Sequence, residues 1–258
     1  MCTATWRFED EDRYEVFFNR DESRARRPAT APSLHVLNGV SYVAPTDKEQ
    51  GGTWIGVNEA GVTLCLLNLY GPRIPAPDPR KTSRGIMLGS CMDVQRLSEL
   101  AGRMAHSALR DVNPFLLLGL APRAVPVCYR WDGTSVSMSE LKAADMPVTS
   151  SSQATARVVK HRRQLLGRLL DGQSKPTREV LLTFHRGAAE KDRATSVCMS
   201  RPDAHTVSFS HVRVEPERGL FEYSRVIADE ARFLDPIVMD LPRQRDPIPT
   251  HIRSASEL

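Results

Sequence analysis

Apolar, aromatic and β-branched residues fill Thr3–Phe8 and Tyr14–Asn19, and the polar run Glu9–Arg13 separates them. Two such runs around a short turn predict a β-hairpin. A hairpin sets the start of its first strand beside the end of its second, so Cys2 is expected to lie next to Arg20-Asp21. Arg24–Ser33 is rich in Arg and Pro and is expected to be a loop. Ser41–Ala44 is expected as a short strand. Thr53–Val57 and Val62–Leu67 read as strands joined by the turn residues Asn58-Glu59-Ala60-Gly61. The prolines of Gly71–Lys81 exclude regular structure there.

The rhythm then turns helical. Ser83–Met92 and Asp93–Ala105 are expected to be helices, with Asp93 as an N-cap and Val94, Leu97, Leu100 and Met104 on one face. Phe115–Leu120 and Val125–Trp131 are apolar strands around Ala121-Pro122-Arg123. Thr149-Ser150-Ser151-Ser152 precedes a long helix over Gln153–Leu170 that Asp171-Gly172 closes, and Thr177–His185 forms a second helix. Ser196–Arg201 and Thr206–Val214 are expected to pair around Pro202-Asp203, with Leu220–Tyr223 as a further strand. From Asp235 onward Pro, Arg and Ser dominate, and 235–258 is expected to be an irregular arm. Hairpin-linked strands alternating with helices predict an α+β fold of two stacked antiparallel sheets with helices on the outer faces. No internal repeat is visible, and residues 1–258 are expected to form a single domain.

Composition narrows the function classes. Hydrophobic content of 41% and charged content of 26% provide for a core of useful size. The net charge of +4 is mild and mixed in sign, and no aromatic platform interleaves the basic clusters, so nucleic acid is not an expected partner. No stretch approaches the roughly 18 apolar residues of a membrane span. Residues 1–13 are too polar for a signal peptide. The five cysteines are widely spaced without a Cys-x-x-Cys pair, and the histidines show no metal spacing. Neither a metal nor another cofactor is expected, and reduced thiols fit a cytoplasmic location. Cys65, Cys91, Cys128 and Cys198 read as buried thiols.

Cys2 stands apart. A small residue behind Met1 permits removal of the initiator, which would leave a cysteine carrying both a thiol and a free α-amine. That amine titrates near pH ~8, within reach of base chemistry at neutral pH. A nucleophile with its own base on one residue is the principle of N-terminal nucleophile catalysis.

Three motifs accompany Cys2: Asn19-Arg20-Asp21-Glu22, the block Gly51-Gly52-Thr53-Trp54-Ile55-Gly56 leading to Leu67-Asn68, and the stretch Ser196–Ser208. Together they resemble the NRDE family, also called the transport and Golgi organisation protein 2 family, over most of residues 1–224. That family is similar in its N-terminal half to the N-terminal cysteine hydrolases. The resemblance implies a four-layer αββα sandwich and attack by a processed cysteine on a small amide or thioester. By the same resemblance, Cys2, Arg20, Asp21 and Asn68 are the candidate catalytic residues. Arg20 would favour thiolate, Asp21 would hold the α-amine, and Asn68 would help build the oxyanion hole. Asn19, Thr53, Trp54 and Ser151 are the candidate substrate contacts. The hydrolases use a second asparagine at the start of a helix, whereas this chain has none beyond Asn113. Thr149–Ser152 is the corresponding stretch, and Arg201 is a loose candidate for a late arginine.

Blander readings stand beside these. Arg20-Asp21 also has a structural reading, less favoured by the motif set, as an ion pair that ties two loops together, and Trp54 reads as core or as pocket wall, the flanking glycines favouring the wall. Arg24, Arg26 and Arg27 are either loop charges or the rim of a pocket for an anionic substrate. Lys160, His161, Arg162, Arg163 and Arg168 read as the solvated face of a helix. The family's eukaryotic members imply an alternative to catalysis: a carrier of haem, lipid or acyl-CoA on the same fold. The expected partner is thus a small-molecule substrate or a hydrophobic ligand.

Overall fold

The computed structural model describes residues 2–105, 109–189 and 192–244. Strands β1 (Cys2–Phe8) and β2 (Tyr14–Ser23) form the expected hairpin, with Cys2 opposite Arg20. Further along come β3 (Ser33–Leu37), β4 (Val40–Ala44), β5 (Ile55–Asn58) and β6 (Thr63–Asn68). Helix α1 (Arg84–Gly89) and a 3₁₀ turn at Leu97–Glu99 leading into α2 (Leu100–Arg103) follow. Next are β7 (Phe115–Leu120), β8 (Val127–Trp131), β9 (Val136–Glu140) and β10 (Val148–Ser150). The long helices are α3 (Thr155–Leu170) and α4 (Arg178–Arg186). The chain continues through β11 (Ala204–Val214), β12 (Arg218–Ile227), β13 (Arg232–Phe233) and β14 (Ile237–Pro242).

Two antiparallel sheets result. One runs β10-β1-β2-β11-β12-β13, with β14 also on β12, and the other runs β3 to β9 in chain order. Strand alternation between two cores explains why β6 is apolar from Leu64 to Leu67. Cys65 and Leu67 join the core between the sheets, while Leu64 and Leu66 join a second core with Leu88, Met92 and Leu100. The first core continues through Phe17 to Leu166, Leu181 and Phe184 of α3 and α4. The layers are therefore helix, sheet, sheet, helix, the αββα sandwich that the sequence led us to expect. The Tyr14 hydroxyl bolts the sheets together, 2.7 Å from the Gly61 carbonyl oxygen and 2.8 Å from Thr63 Oγ1. Gly61 itself closes the β5–β6 turn at φ +80°, a backbone region that favours glycine.

Several expectations are corrected. Ile237–Pro242, assigned to the irregular arm, forms β14 along β12, with Leu241 buried and Pro242 tolerated at the strand's end. The rest of that arm from 245 lies outside the described residues. Asp93 caps no helix: its carboxylate accepts from Arg103 at 2.7 Å and Asn38 at 2.8 Å, and helical structure starts only at Leu97. Ser196–Arg201 is not a strand, but it does meet the start of β11 around Pro202-Asp203, through an antiparallel bridge between Ser200 and His205; beyond it β12 takes that edge of β11 from Ser208 onward. β3, β9 and β10 were not foreseen; the first two carry exposed residues, and the third has only three residues, too few for a period.

Glu15 pins β2 to the helix layer. Burial alone would raise its carboxyl, but hydrogen bonds from His211, Arg178 and Arg7 outweigh burial and hold it at about 2. Because this folded value lies below the unfolded one of 4.5, the stabilisation is complete above the unfolded value and drains away as pH falls toward 2. Glu15→Gln is expected to flatten that acid limb. Denaturant titrations across this range should show wild type losing on the order of 2–3 kcal/mol more than the variant.

Candidate active site

Cys2 opens β1 between two neighbours, opposite Arg20 on β2 and Ser150 on β10. Residues directly opposite in an antiparallel ladder point to the same face, so Ser150, Cys2 and Arg20 form a row. Cys2 is buried, yet it lines a cavity of about 330 Å³ at this end of the sandwich. Burial pushes its thiol up to about 11, against the pull of Arg20 and of a hydrogen bond from the Asp21 backbone. Such a thiol is protonated at neutral pH and requires a base in order to attack.

Arg20 and Asp21 share a motif but not a face. Arg20 lies on the cavity side, where its Nη2 donates to Asp47 Oδ2 at 2.8 Å and Glu22 Oε2 at 3.1 Å. Its guanidinium carbon sits 3.8 Å from the centre of the Trp54 ring. The Asp21 carboxylate lies toward the helix layer, where Thr206 Oγ1 donates to it at 2.7 Å and Arg162 approaches at 3.6 Å. The two are therefore not an ion pair with one another, although the backbone of Asp21 meets the thiol.

The opposite wall comes from β6 and the segment before β5. Thr53, Trp54, Leu66 and Asn68 line it. Asn68 ends β6, and its Nδ2 donates to the Tyr70 hydroxyl at 3.0 Å, leaving the second amide proton for another acceptor. Thr53 Oγ1 donates to the Ile55 carbonyl at 3.0 Å, so its hydroxyl proton is committed. Trp54 resolves as both core and pocket wall, being 5% exposed.

The paired glycines before Thr53 gain a reason. A Cβ at Gly52 would stand 2.3 Å from the backbone carbon of Gly85, a contact no flexible side chain can relieve. The Thr53 N–H donates to the Gly85 carbonyl at 3.1 Å in the same approach. This clamp holds the start of α1, including Arg84, over the cavity. Gly52→Ala is expected to lower stability by about 1–3 kcal/mol, as overpacking does, read from the denaturant midpoint at unchanged slope.

Two named contacts stay away from the cavity. Asn19 is fully buried on the helix side, donating to the carbonyls of His185 at 2.9 Å and Val197 at 3.1 Å. The twofold alternation of β2 turns it from the Cys2 face, and it braces the fold rather than the substrate. Ser151 is also buried, with its hydroxyl donating to the Gln153 carbonyl at 2.6 Å. Its neighbour Ser150 is the residue beside Cys2, and the buried Ser150 Oγ has no partner among the described residues. A shift of one position along a strand exchanges faces. Of Arg24, Arg26 and Arg27, only Arg26 lines the cavity, 2.9 Å from Asp47, while Arg24 pairs with Asp229 at 2.7 Å. Arg201 stays with Asp203 and Ser152.

Arg162 is the residue that sequence reasoning misplaced. It is not on a solvated face but 1% exposed beneath the site. Its nitrogens donate to the carbonyls of Thr195 at 3.2 Å and Ser196 at 2.6 Å, and to Thr149 Oγ1 at 2.9 Å and Thr3 Oγ1. Its position held the signal: it lies four residues after Val158 and four before Leu166, at the centre of the buried stripe of α3. The five cysteines are free and buried, and no group of metal-ligating side chains occurs among the described residues. No helix among them is long and apolar enough to cross a membrane.

Comparison with known proteins places this geometry in context. The family model described as Transport and Golgi organisation 2 matches residues 1–218. No curated protein matches the sequence. Among solved structures, penicillin V acylase from Agrobacterium tumefaciens is similar at TM-score 0.56 and 12% identity, over 93% of this chain and 86% of its own. The N-acylethanolamine-hydrolyzing acid amidase ortholog of Caenorhabditis elegans gives 0.58 and 11%, over 82% and 92%. A mutant conjugated bile acid hydrolase from Clostridium perfringens gives 0.51 and 11%, over 94% and 92%. At these identities the likeness is one of fold, that of the N-terminal nucleophile hydrolases.

Proposed function

The chain belongs to the Transport and Golgi organisation 2 family, and from that premise we propose that it is an N-terminal cysteine hydrolase or acyltransferase for a small amide or thioester. The observation that carries this reading is Cys2 itself, at the start of β1, on the wall of a polar cavity and in register with Arg20. Its raised thiol pKa calls for a base at hand. Removal of Met1 would supply one on the same residue, an α-amine titrating near pH ~8.

In the proposed reaction Sγ attacks the substrate carbonyl while the thiol proton passes to the α-amine. Negative charge gathers on the carbonyl oxygen, which the free Asn68 amide proton would stabilise. The carbon–nitrogen or carbon–sulfur bond then breaks, the ammonium returns its proton to the leaving group, and a thioester on Cys2 remains. Water, deprotonated by the same amine, releases the acid and restores the thiol; an acceptor amine or thiol in its place gives acyl transfer. Asp21 would keep the amine oriented, and Arg20 would lower the cost of thiolate.

The fold neighbours named for amide-cleaving activities support an acyl-directed reaction. A carrier of haem or lipid calls for an apolar cavity. The walls here hold Arg20, Arg26 and Arg84 against Glu22, Asp47 and Asp78, which favours a small polar substrate. Five unpaired thiols suit the reducing cytoplasm in which we place it.

Intact-mass measurement tests the reading. Purified protein is expected to lack Met1 and to gain one acyl group from a panel of β-lactams and acyl thioesters, with no gain in Cys2→Ala. Retention of Met1, or labelling that ignores the substitution, would overturn it.

A further inference from the structure

We propose that the substrate carries a single carboxylate and that Arg84 is the group that recognises it. The proposal rests on the reading of Cys2 as the reacting residue, since it names what else in that cavity binds the same molecule.

The charges around the cavity are unevenly matched. Arg20 is held by Asp47 at 2.8 Å and Glu22 at 3.1 Å, and Arg26 by Asp47 at 2.9 Å. Asp78 is taken by Arg80 at 2.8 Å, and the Lys81 ammonium donates to the Arg110 carbonyl at 2.9 Å. Arg84 differs. Its Nη1 donates to the neutral Pro114 carbonyl at 3.2 Å, and no carboxylate among the described residues lies within ion-pair distance. Glu22 acts on it only through space, opposed by Arg26. A guanidinium presents five N–H groups in a planar fork, so most of its donors remain for a ligand.

Burial makes this arrangement costly without a ligand. Desolvation pushes the Arg84 pKa down, against a smaller opposing pull from Tyr70, Cys2 and Glu22. A bound carboxylate would relieve that penalty through two parallel, charge-assisted hydrogen bonds. The Gly52–Gly85 clamp fixes the backbone beside Arg84, so the fork is presented without a flexible loop beneath it. The remaining lining limits the ligand's charge. Arg20 and Arg26 are already neutralised, and Glu22 and Asp47 would repel further anionic groups. One carboxylate is accommodated; a polyphosphate is not.

Binding measured in Cys2→Ala, which cannot turn over, separates this proposal from catalysis. Calorimetric titration would compare N-butanoylglycine, its uncharged amide N-butanoylglycinamide, and butanoyl-CoA. The acid is expected to bind at least about tenfold tighter than the amide, as a charged hydrogen-bonded pair implies. Arg84→Gln in the same background should erase that preference. Arg163→Gln, which removes an equal charge from the exposed side of α3, should leave it intact. Equal affinity for acid and amide, failure of the acid to bind, or a preference that survives Arg84→Gln would each overturn the proposal. So would butanoyl-CoA binding more tightly than the acid. Should Arg84→Gln not fold, Arg84→Lys decides: a several-fold smaller preference supports recognition by the fork, and an undiminished one refutes it. A clear preference with no turnover in the wild-type protein would instead count against the catalytic reading alone.

Discussion

Cys2→Ala is expected to lower kcat/KM by at least about 10⁴-fold, the scale on which enzymes lose rate when a nucleophile is removed. The substitution deletes one sulfur at the first position of β1 and leaves every backbone hydrogen bond of the Ser150, Cys2 and Arg20 row available. The fold should therefore persist, with circular dichroism and the melting temperature close to wild type. A companion experiment isolates the amine. Acetylation of the α-amine keeps the thiol, whose pKa near 11 leaves it protonated at neutral pH, and removes the base. Activity should fall by about 10²–10⁴-fold, the usual contribution of a positioned general base. In the unmodified enzyme the rate should climb with pH as the amine loses its proton near pH ~8. Turnover that persists in Cys2→Ala would remove the nucleophile from the mechanism and return weight to the carrier reading.

Arg162→Met is expected to cost about 3–5 kcal/mol of stability. The guanidinium is 1% exposed and reaches two carbonyls, two threonine hydroxyls and the Asp21 carboxylate. Methionine matches its stem but supplies no donor, so the Thr195 and Ser196 carbonyls each lose a hydrogen bond and the buried Asp21 carboxylate loses a cation 3.6 Å away. Breaking one side of a buried charge pair falls in this range because the remaining charge stays desolvated. For a chain of this length the midpoint should drop on the order of 10 °C. The loss should reach the site, since Thr3 follows Cys2 and Thr149 precedes Ser150. A variant as stable as wild type would mean that water replaces the guanidinium, and the bracing role assigned to Arg162 would have to be abandoned.

Much of the fold and of the site can be read from local sequence patterns. The β1–β2 hairpin follows from two apolar runs around Glu9–Arg13, and its register follows from the turn. The proximity of Cys2 to Arg20-Asp21 is thus a local property of the first two dozen residues. The glycines before Thr53 also mark a close approach, although only the structure shows that the approaching backbone is Gly85. What escaped has a common cause. Ser150 and Ser151 are chemically identical, and a three-residue strand has no period from which to choose between them. Arg162 belongs by charge to a basic cluster and by position to an apolar stripe, and charge prevailed in the sequence reading. Asn19 belongs by motif to the site and by alternation to the opposite face.

Local sequence patterns dictate the layered α+β architecture, the placement of a potential N-terminal nucleophile at the head of a hairpin, and the polar residues that accompany it. These depend on periodicity and turn chemistry within short spans, where the backbone leaves few alternatives. Tertiary structure decided which faces those residues occupy and which partners neutralise them: Asp21 with Thr206, 185 positions away, Arg162 with Thr3, 159 away, and Arg84 with no carboxylate beside it among the described residues. Such pairings arise from the packing of distant segments. Sheet order and helix placement bring those segments together, and no local pattern encodes them.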